Sequence, residues 1–327
     1  MQKIERQDVQ GSGILVTGGA GFIGSHLVDR LLQEGAREVV IIDNLFTGDE
    51  IHLDSAIKTG RAFFYRDDAE FSTSLEYIFS KHHIDIVFNC ATKALNYSFY
   101  NPANAFSTNV TIILNLLEFQ RKGLFKSLCH FSTSEVYGTA VYEPMDEDHP
   151  KNPTTTYAAG KAAADLAVES YVKMFGVDAF IVRPFNNYGP RQNHKGYLAG
   201  IIPITAWRIL NNIPPEIHGS GKQTRDFIYV LDTIDAVINL YRVLPKGEAI
   251  NISSSNQISV LDLLKKIFLL MNYSGESIHK LGRESDVVCH NASNEKIKKI
   301  INYSLTPFDQ GLSATLDWYK LNIKKLQ

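Results

Sequence analysis

The sequence has almost no net charge, few cysteines and no long apolar run, and each absence narrows the class of protein. Its 33 Lys and Arg residues nearly balance 35 Asp and Glu residues, which gives a formal net charge of -2. Proteins that bind nucleic acid usually carry a clustered basic face, so we expect no nucleic acid as a partner. No apolar run approaches the roughly 20 residues of a membrane span, and residues 1–10 lack the apolar core of a signal peptide. The sequence therefore predicts a cytoplasmic protein with no membrane partner.

Cysteine and histidine form neither a disulfide framework nor a metal-ligand pattern. Cys90, Cys129 and Cys289 are an odd number of cysteines, and the first two lie in apolar stretches. We interpret them as reduced thiols packed in a cytosolic core. The histidines, such as His82 and His83, do not have the spacing of metal ligands, so the sequence predicts no metal.

Short β-branched runs alternate with segments that place apolar residues at helical spacing. The runs are 14–17, 39–42, 62–65, 84–89, 128–132 and 179–182. The helical segments between them are 22–34, 71–81, 102–121 and 157–175. Continuous apolar strands separated by helices indicate a parallel sheet that is covered on both faces. Right-handed crossovers then give an α/β fold with a doubly wound parallel sheet of the Rossmann type.

The regular alternation ends near Pro184, where prolines and glycines begin to interrupt shorter elements. Helical spacing recurs at 202–210, 231–242, 260–271 and 310–321. This change predicts a smaller C-terminal α/β lobe, with the ligand between the two lobes. We assign residues 1–184 to the Rossmann domain, with parts of 220–255 returning to it, and 185–327 mainly to the smaller, substrate-binding lobe.

Three glycines follow the first predicted strand and open the first predicted helix. Gly18, Gly21 and Gly24 have the spacing of a dinucleotide-binding turn, and this context strengthens the pattern. Glycine lets backbone N–H groups approach a pyrophosphate, whose charge meets the helix N-terminus. The second strand ends at Asp43, whose carboxylate would accept both adenine-ribose hydroxyls and repel a 2′-phosphate. Residues 44–46 contain no Arg or Lys, so the sequence predicts NAD rather than NADP.

Tyr157 and Lys161 are four residues apart in a predicted helix, which places both side chains on one face. A phenol titrates near about 10, and an adjacent ammonium together with a positive nicotinamide ring would bring it toward neutral pH. This spacing alone is equally compatible with a surface Tyr–Lys pair. Thr133 and Glu135, at the carboxyl end of the fifth strand, favour catalysis, because they add a hydroxyl donor and a carboxylate. The alternative for Glu135 is a solvated loop acid.

The order of these motifs resembles the extended short-chain dehydrogenase/reductases, specifically their NAD-dependent nucleotide-sugar epimerase/dehydratase group. The matching segments are TGGAGFIGSHL at 17–27, STSEVYG at 132–138, YAAGK at 157–161, RPFNNYGPRQ at 183–192, GSGKQTRDFIYVLD at 219–232 and GRESD at 282–286. The resemblance covers nearly the whole chain. It implies an enzyme that uses NAD and acts on a nucleotide-diphosphate sugar.

The resemblance also implies roles for the residues at matching positions. The implied catalytic residues are Thr133, Ser134, Glu135, Tyr157 and Lys161, with Tyr157 as the base. The implied NAD-binding residues are Gly18, Gly21, Phe22, Ile23, Gly24, Asp43, Asn44, Asp67, Asp68, Cys90, Ala91, Thr92, Asn109, Ser132, Tyr157, Lys161 and Pro184. The implied substrate-binding residues are Lys93, Thr133, Asn186, Asn187, Arg191, Arg225 and Arg283. The arginines suit phosphate because a guanidinium donates two parallel hydrogen bonds.

The end of the fourth strand departs from the family pattern. A His-Leu-Ala-Ala-like run is usual there, whereas this chain begins with Asn89 and continues to Lys93. Lys93 falls in the predicted sugar pocket, where Gln or Glu is more common. The departure is compatible with an unusual or more acidic sugar.

The resemblance leaves three reactions open, all of which begin with oxidation of the sugar at C4. The 4-ketone leads to a 4-epimerase, to a 4,6-dehydratase or, from a hexuronate, to a decarboxylase. Loss of the C5 proton and the C6 hydroxyl needs a carboxylate, which Glu135 supplies, whereas simple epimerases of the family usually have a small or apolar residue there.

Ser134, Asn186 and Asn187 bear on the type of dehydratase. Ser134 stands where the dTDP-glucose type has an Asp, so a second acid is missing, while Asn186 and Asn187 are close to that type. We favour the dehydratase and keep the decarboxylase and the epimerase as alternatives. A non-catalytic NAD-sensing protein is a remote alternative.

Members of the family dimerise through a four-helix bundle, which the resemblance places at helices 102–121 and 157–175. The second helix is rich in alanine and permits close approach, although it could also pack only on its own sheet. We expect a homodimer. The nucleotide base and the sugar would be read by residues around 197–217 and 282–286.

Overall fold

The computed structural model describes residues 6–281 and 291–323. The strands are β1 (Gly13–Thr17), β2 (Glu38–Ile42), β3 (Ala62–Tyr65), β4 (Ile86–Asn89), β5 (Ser127–Phe131), β6 (Asp178–Pro184), β7 (Asn186–Tyr188), β8 (Glu216–His218), β9 (Thr224–Tyr229), β10 (Ala249–Ile252), β11 (Gln257–Ser259) and β12 (Ile278–Lys280). The helices are α1 (Phe22–Gln33), α2 (Asp54–Ile57), α3 (Ser72–Lys81), α4 (Pro102–Arg121), α5 (Thr156–Phe175), α6 (Ile201–Leu210), α7 (Val230–Val243), α8 (Val260–Leu270), α9 (Glu295–Ile300) and α10 (Phe308–Asn322). Within these ranges, no helix has both the length and the apolar character needed to cross a membrane.

The main sheet has seven parallel strands in the order β10-β6-β5-β4-β1-β2-β3. Every residue of β1, β4 and β5 is buried, as expected for strands covered on both faces. The strand order reverses between β1 and β4, and open α/β sheets bind their ligands at such a reversal. The predicted α/β fold with a doubly wound parallel sheet is confirmed.

Two apolar cores cover the two faces of this sheet. Val16 packs on one face with Leu27 of α1, whereas its neighbour Leu15 packs on the other face with Leu116 of α4 and Val168 of α5. Adjacent residues enter different cores because successive side chains of a strand point to opposite faces. Both cores hold the strands in fixed register, and the strand ends therefore form a rigid edge.

A smaller lobe follows β6. Strands β7, β9 and β11 form a three-stranded sheet, β8 pairs with β12, and α6, α8 and α10 contribute to a separate apolar core. Strand β10 returns to the main sheet beside β6, and α7 packs against α1. Helix α9 also lies against β10, a return that the sequence did not indicate. The domain boundaries themselves stay a prediction.

The cysteines of the described residues are not paired. Cys90 and Cys129 are free thiols, and Cys129 is fully buried within β5. Burial raises the pKa of the Cys129 thiol well above its usual value, so it stays neutral and packs as a small apolar group. Cys289 lies outside the described residues.

Candidate active site

A cavity of about 510 Å³ opens at the carboxyl ends of the central strands. Its walls include residues that follow β1, β2, β4 and β5, because parallel strands end at a common edge. Gln192 and residues 198–201 close the cavity from the side of the smaller lobe. The predicted site residues that line it are Gly18, Gly21, Phe22, Ile23, Gly24, Asp43, Asn44, Asp67, Asp68, Cys90, Ala91, Thr92, Lys93, Ser132, Thr133, Tyr157, Lys161, Pro184, Asn186 and Asn187.

The remaining predicted residues lie elsewhere. Those outside the cavity wall are Asn109, Ser134, Glu135, Arg191 and Arg225, and Arg283 lies outside the described residues. Asn109 supports the wall from behind, since its amide oxygen accepts a hydrogen bond from the Thr92 hydroxyl at 2.8 Å. Arg191 pairs with Asp29 at 2.7 Å and lines a neighbouring cavity of about 270 Å³. Arg225 donates to the carbonyl of the preceding residue on β9. The substrate roles of both arginines stay predictions.

The glycine turn brings bare backbone to the cavity. Gly18 has a φ of 70°, a left-handed conformation that favours glycine, and a Cβ there would lie 2.7 Å from the backbone nitrogen of Ala91. A Cβ on Gly24 would overlap the carbonyl oxygen of Gly18. Gly21 caps α1 without a side-chain hydrogen bond, so the first N–H groups of that helix are left for a ligand. These features fit a pyrophosphate at the helix N-terminus.

Asp43 is buried at the end of β2, beside the glycine turn. Its carboxylate accepts hydrogen bonds from the backbone N–H groups of Ala20 at 3.0 Å and Leu45 at 2.8 Å. Burial raises the pKa of Asp43, and these hydrogen bonds oppose the shift. Asn44 donates to Asp68 at 2.6 Å and so joins the loops that follow β2 and β3. A carboxylate in this position fits the ribose of NAD and opposes a 2′-phosphate.

Tyr157 lies in the first turn of α5, where two hydroxyl groups fix the backbone. The Thr155 side chain caps the helix by accepting from the Ala158 N–H at 3.2 Å, and Ser98 accepts from the Tyr157 N–H at 3.0 Å. Burial raises the pKa of Tyr157 to about 12, hydrogen bonds from Thr133 and Thr92 lower it, and the charge of Glu135 raises it. The protein alone therefore keeps Tyr157 as a neutral phenol.

Lys161 is buried one turn further along α5. Its ammonium donates to the carbonyl oxygen of Phe131, at the end of β5, at 2.8 Å. Burial lowers the pKa of Lys161 to about 8, and the nearby carboxylate of Asp165 opposes this shift. Lys161 is thus held at the base of the cavity by the strand, next to the helix face that carries Tyr157.

Glu135 lies in a tight turn, Ser134–Tyr137, that closely follows the fifth strand. Thr133 caps this turn, because its hydroxyl oxygen accepts from the Glu135 N–H at 3.2 Å. The charge of Glu135 is one of the influences that raise the pKa of Tyr157. Ser134 is buried away from the cavity.

The glycine turn, Asp43 and the Tyr157–Lys161 pair stand together at one sheet edge, and the comparisons with known proteins agree with this arrangement. The profile of the NAD-dependent epimerase/dehydratase family matches residues 14–253. The chain belongs to the NAD-dependent epimerase/dehydratase family. Members of this family are enzymes that act on nucleotide-linked sugars, and the cofactor is NAD.

Relatives within the epimerase/dehydratase family differ in the reaction they are named for. A Methanocaldococcus jannaschii protein assigned as a UDP-glucose 4-epimerase is 34% identical over 310 residues, which cover 94% of this chain and 99% of that protein. Human dTDP-D-glucose 4,6-dehydratase is 29% identical over 94% of this chain and 90% of its own length. The dehydratase DesIV of Streptomyces venezuelae, solved with NAD, superposes with a TM-score of 0.90 at 26% identity, covering 96% of this chain and 98% of that one. Relatives named for epimerisation and relatives named for dehydration thus match this chain at similar identity.

Lys93 lines the cavity and contacts two aromatic rings. Its ammonium lies 4.3 Å from the ring centroid of Phe46 and 5.9 Å from that of Tyr97, an arrangement typical of cation–π contacts. Phe46 belongs to the loop that continues from Asp43, so the charge lies on the cofactor side of the cavity. The assignment of Lys93 to the sugar pocket stays a prediction, and its contact with Phe46 makes a role toward NAD the alternative.

Several cavity residues had no individual role in the sequence analysis. They are Phe46, Thr47, Asn96, Gln192, Asn193 and Phe227. Asn96 donates to the Tyr197 carbonyl at 2.9 Å, and Tyr197 contacts the Tyr100 ring at a centroid distance of 3.9 Å. These contacts join the loop after β4 to the smaller lobe beside the cavity. The sequence feature that could have identified Gln192 is its place at the end of the motif RPFNNYGPRQ, residues 183–192.

We expect Lys93→Met to weaken NAD binding about tenfold or more, because a hydrogen bond to a charged group contributes about 1.5–3 kcal/mol. The affinity for a nucleoside diphosphate should stay unchanged. Calorimetry with each ligand measures both, and Lys58→Met, an exposed lysine beyond α2, is the control. A loss of affinity for the nucleotide sugar alone would indicate that Lys93 binds the sugar.

Proposed function

We propose that the chain is a nucleotide-sugar 4,6-dehydratase. The observation that carries this proposal is the position of Glu135, a carboxylate in the turn after β5 that Thr133 caps. A dehydratase needs an acid/base group near C5 and C6 in addition to the base at the 4-hydroxyl, whereas an epimerase does not. Thr133, Glu135 and Tyr157 provide these groups beside one cavity.

The cavity residues support the first step at C4 of the sugar. Tyr157 takes the proton of the 4-hydroxyl, and Thr133 donates a hydrogen bond to the same oxygen. Lys161 supplies positive charge next to the phenolate that starts this step. NAD, when bound, accepts the hydride of C4 and later returns it.

The second step is the loss of water, and it depends on Glu135. The 4-ketone makes the C5 proton acidic, and Glu135 removes that proton and passes it to the C6 hydroxyl, which leaves as water. Hydride returned to C6 and a proton returned to C5 complete a 4-keto-6-deoxy sugar. The sugar gains and loses equal numbers of hydrides, so the net change is the loss of one water.

A 4-epimerase is the second candidate. Neither Ser134 nor Glu135 lines the 510 Å³ cavity, whereas Thr133 and Tyr157 both do. These two residues are sufficient for oxidation and reduction at C4 on either face of the sugar. The similarity to a protein assigned as a UDP-glucose 4-epimerase adds support.

Product mass distinguishes these reactions. The protein would be incubated with UDP-, GDP-, CDP- and dTDP-linked hexoses and hexuronates, and the products analysed by mass spectrometry. We expect loss of water, and in D₂O we expect one deuterium at C5. An unchanged mass with a new C4 configuration would make the chain an epimerase, and loss of CO₂ would make it a decarboxylase.

Replacing the Glu135 carboxylate separates oxidation from elimination. We expect Glu135→Gln to slow the loss of water by about 10²–10⁴-fold, the usual contribution of a general acid/base, while NADH still forms from bound NAD. Single-turnover absorbance measures the NADH, and mass spectrometry measures the dehydrated sugar.

The matched control is Glu76→Gln, which removes an exposed carboxylate from α3. Equal losses of NADH formation and dehydration in Glu135→Gln would contradict a role for Glu135 at C5 and C6. Such a result would indicate that Glu135 acts only through Tyr157.

We also propose a homodimer formed by α4 and α5. Exposed apolar side chains on both helices support it, including Leu166 at 54% and Met174 at 71% exposure, with Phe106 and Leu114 on α4. We expect a sedimentation mass near twice the 36.7 kDa of the chain, and a monomer after Leu166→Glu with Met174→Glu. A wild-type mass of one chain would exclude the dimer.

A further inference from the structure

A smaller cavity, here called the side cavity, lies beside the candidate active site. It has a volume of about 270 Å³ and is bordered by residues 45–49, His52, residues 191–195, Leu198 and Trp318. Five of its residues also line the larger cavity, so the two cavities share a wall. Sites for drug-sized ligands usually measure about 300–1,000 Å³, and the side cavity therefore suits a small ion or ester.

Two nitrogen atoms of residues in the wall of the side cavity lack hydrogen-bond partners. Nη2 of Arg191 pairs with Asp29 at 2.7 Å, whereas Nη1 has no partner among the residues that the structure describes. Nε2 of His194 has none there either, although only 5% of this residue is exposed. Most buried polar side-chain atoms in proteins have a partner. Two nitrogens without one at a single cavity therefore point to a bound group that supplies acceptor atoms.

The charges in the wall favour a negatively charged group. Arg191 and Lys195 are cations, and Asp49 is the carboxylate among the described wall residues. Asp49 lies 4.0 Å from Lys195, and both side chains are more than a third exposed, so water screens this pair. Burial lowers the pKa values of His52 and His194, so these imidazoles are neutral near pH 7. The Arg191 guanidinium is therefore the main fixed charge at the buried side of the cavity.

The guanidinium of Arg191 is suited to phosphate. It presents a planar set of donors that matches phosphate oxygens, and the Asp29 pair leaves Nη1 available. The backbone of Arg191 has a φ of 66°, a left-handed conformation that is uncommon for residues other than glycine. The chain thus carries this guanidinium at a position that glycine would occupy more easily.

His52 connects the side cavity to the glycine turn. Its Nδ1 lies 3.1 Å from the carbonyl oxygen of Ala20, which also accepts from the Asp49 N–H at 3.1 Å. A carbonyl oxygen only accepts, so Nδ1 of His52 carries the ring proton. A ligand in the side cavity would consequently lie next to the dinucleotide site without occupying it.

We propose that the side cavity binds a phosphate group, with Arg191 Nη1 and His194 Nε2 as donors to its oxygens. The ligand is inorganic phosphate or a small phosphate monoester, since both present the same anionic head. The inference goes beyond the proposed function, because it involves neither the sugar carbon C4 nor Tyr157. Its test therefore needs no turnover.

Calorimetry with inorganic phosphate tests the proposal. The protein is first saturated with NAD, so that the dinucleotide site is filled, and phosphate is then added. We expect saturable binding. We expect Arg191→Lys and His194→Asn each to weaken it about tenfold or more, which is the loss of one charge-assisted hydrogen bond.

Both variants are designed to keep the fold. Arg191→Lys leaves a cation for Asp29, and His194→Asn leaves a polar group near the position of Nδ1. The unfolding temperature of each variant checks this, and if one unfolds, the other decides. The matched controls are Arg66→Lys and His279→Asn, which change exposed residues outside the side cavity.

NMR of protein labelled with ¹⁵N-histidine locates the bound phosphate. The His194 signals are identified by their loss in His194→Asn. We expect phosphate to shift the His194 signals in NAD-saturated protein and to leave those of His279 in place. Phosphate binding without any shift of the His194 signals would contradict the site.

Glycerol 3-phosphate distinguishes the two sources of the phosphate group. Tighter binding of this ester would identify a monoester site, and tighter binding of inorganic phosphate would identify a site for the free ion, so either result supports the proposal. The absence of saturable binding, or equal affinity in the wild type and the folded variants, would overturn it. Displacement of phosphate by a nucleoside diphosphate would overturn it too, because phosphate would then occupy the nucleotide-sugar site.

Discussion

The contact between the turn after β1 and the loop after β4 determines where cofactor and sugar meet. Gly18 lies so close to Ala91 that no side chain fits between them. This contact lets α1 begin at the cavity wall, and it carries the β4 loop across the sheet edge toward Thr92 and Lys93. The positions of the first N–H groups of α1 and of one wall of the cavity therefore depend on one backbone approach.

The fold was predictable because its signals are local. Strand 62–65 and helix 102–121 have the predicted bounds, since apolar spacing and the proline at the helix start define them. Strand β6 runs past the predicted end at residue 182 to Pro184 because Arg183, which reads as a strand end, is buried by Asp165. That partner lies 18 residues away in the chain, and no local pattern indicates it.

The site was predictable to the extent that its residues follow strand ends. Asp43, Thr133 and Tyr157 reach the cavity because parallel strands end at one edge and α5 starts beside it. The side of the cavity that a long side chain faces depends on loops from other strands. Lys93 shows this, since its ammonium is held by Phe46, a residue 47 positions earlier.

The pKa values of Tyr157 and Lys161 determine whether the Tyr157 phenol is ionised. The pKa of Tyr157 is raised to about 12 while that of Lys161 is lowered to about 8, so the protein alone does not produce a phenolate next to an ammonium at neutral pH. Ionisation of Tyr157 near neutral pH would need further positive charge beside it. The nicotinamide ring of NAD would supply such a charge, and proton removal by the phenolate would then depend on the oxidised cofactor.

The residues predicted for the cofactor and those predicted for the sugar line a single cavity. In a reaction that returns its hydride to the same sugar, the dinucleotide has no reason to leave between turnovers. Flux through such an enzyme would then follow the supply of sugar nucleotide and be insulated from the cellular ratio of NADH to NAD⁺.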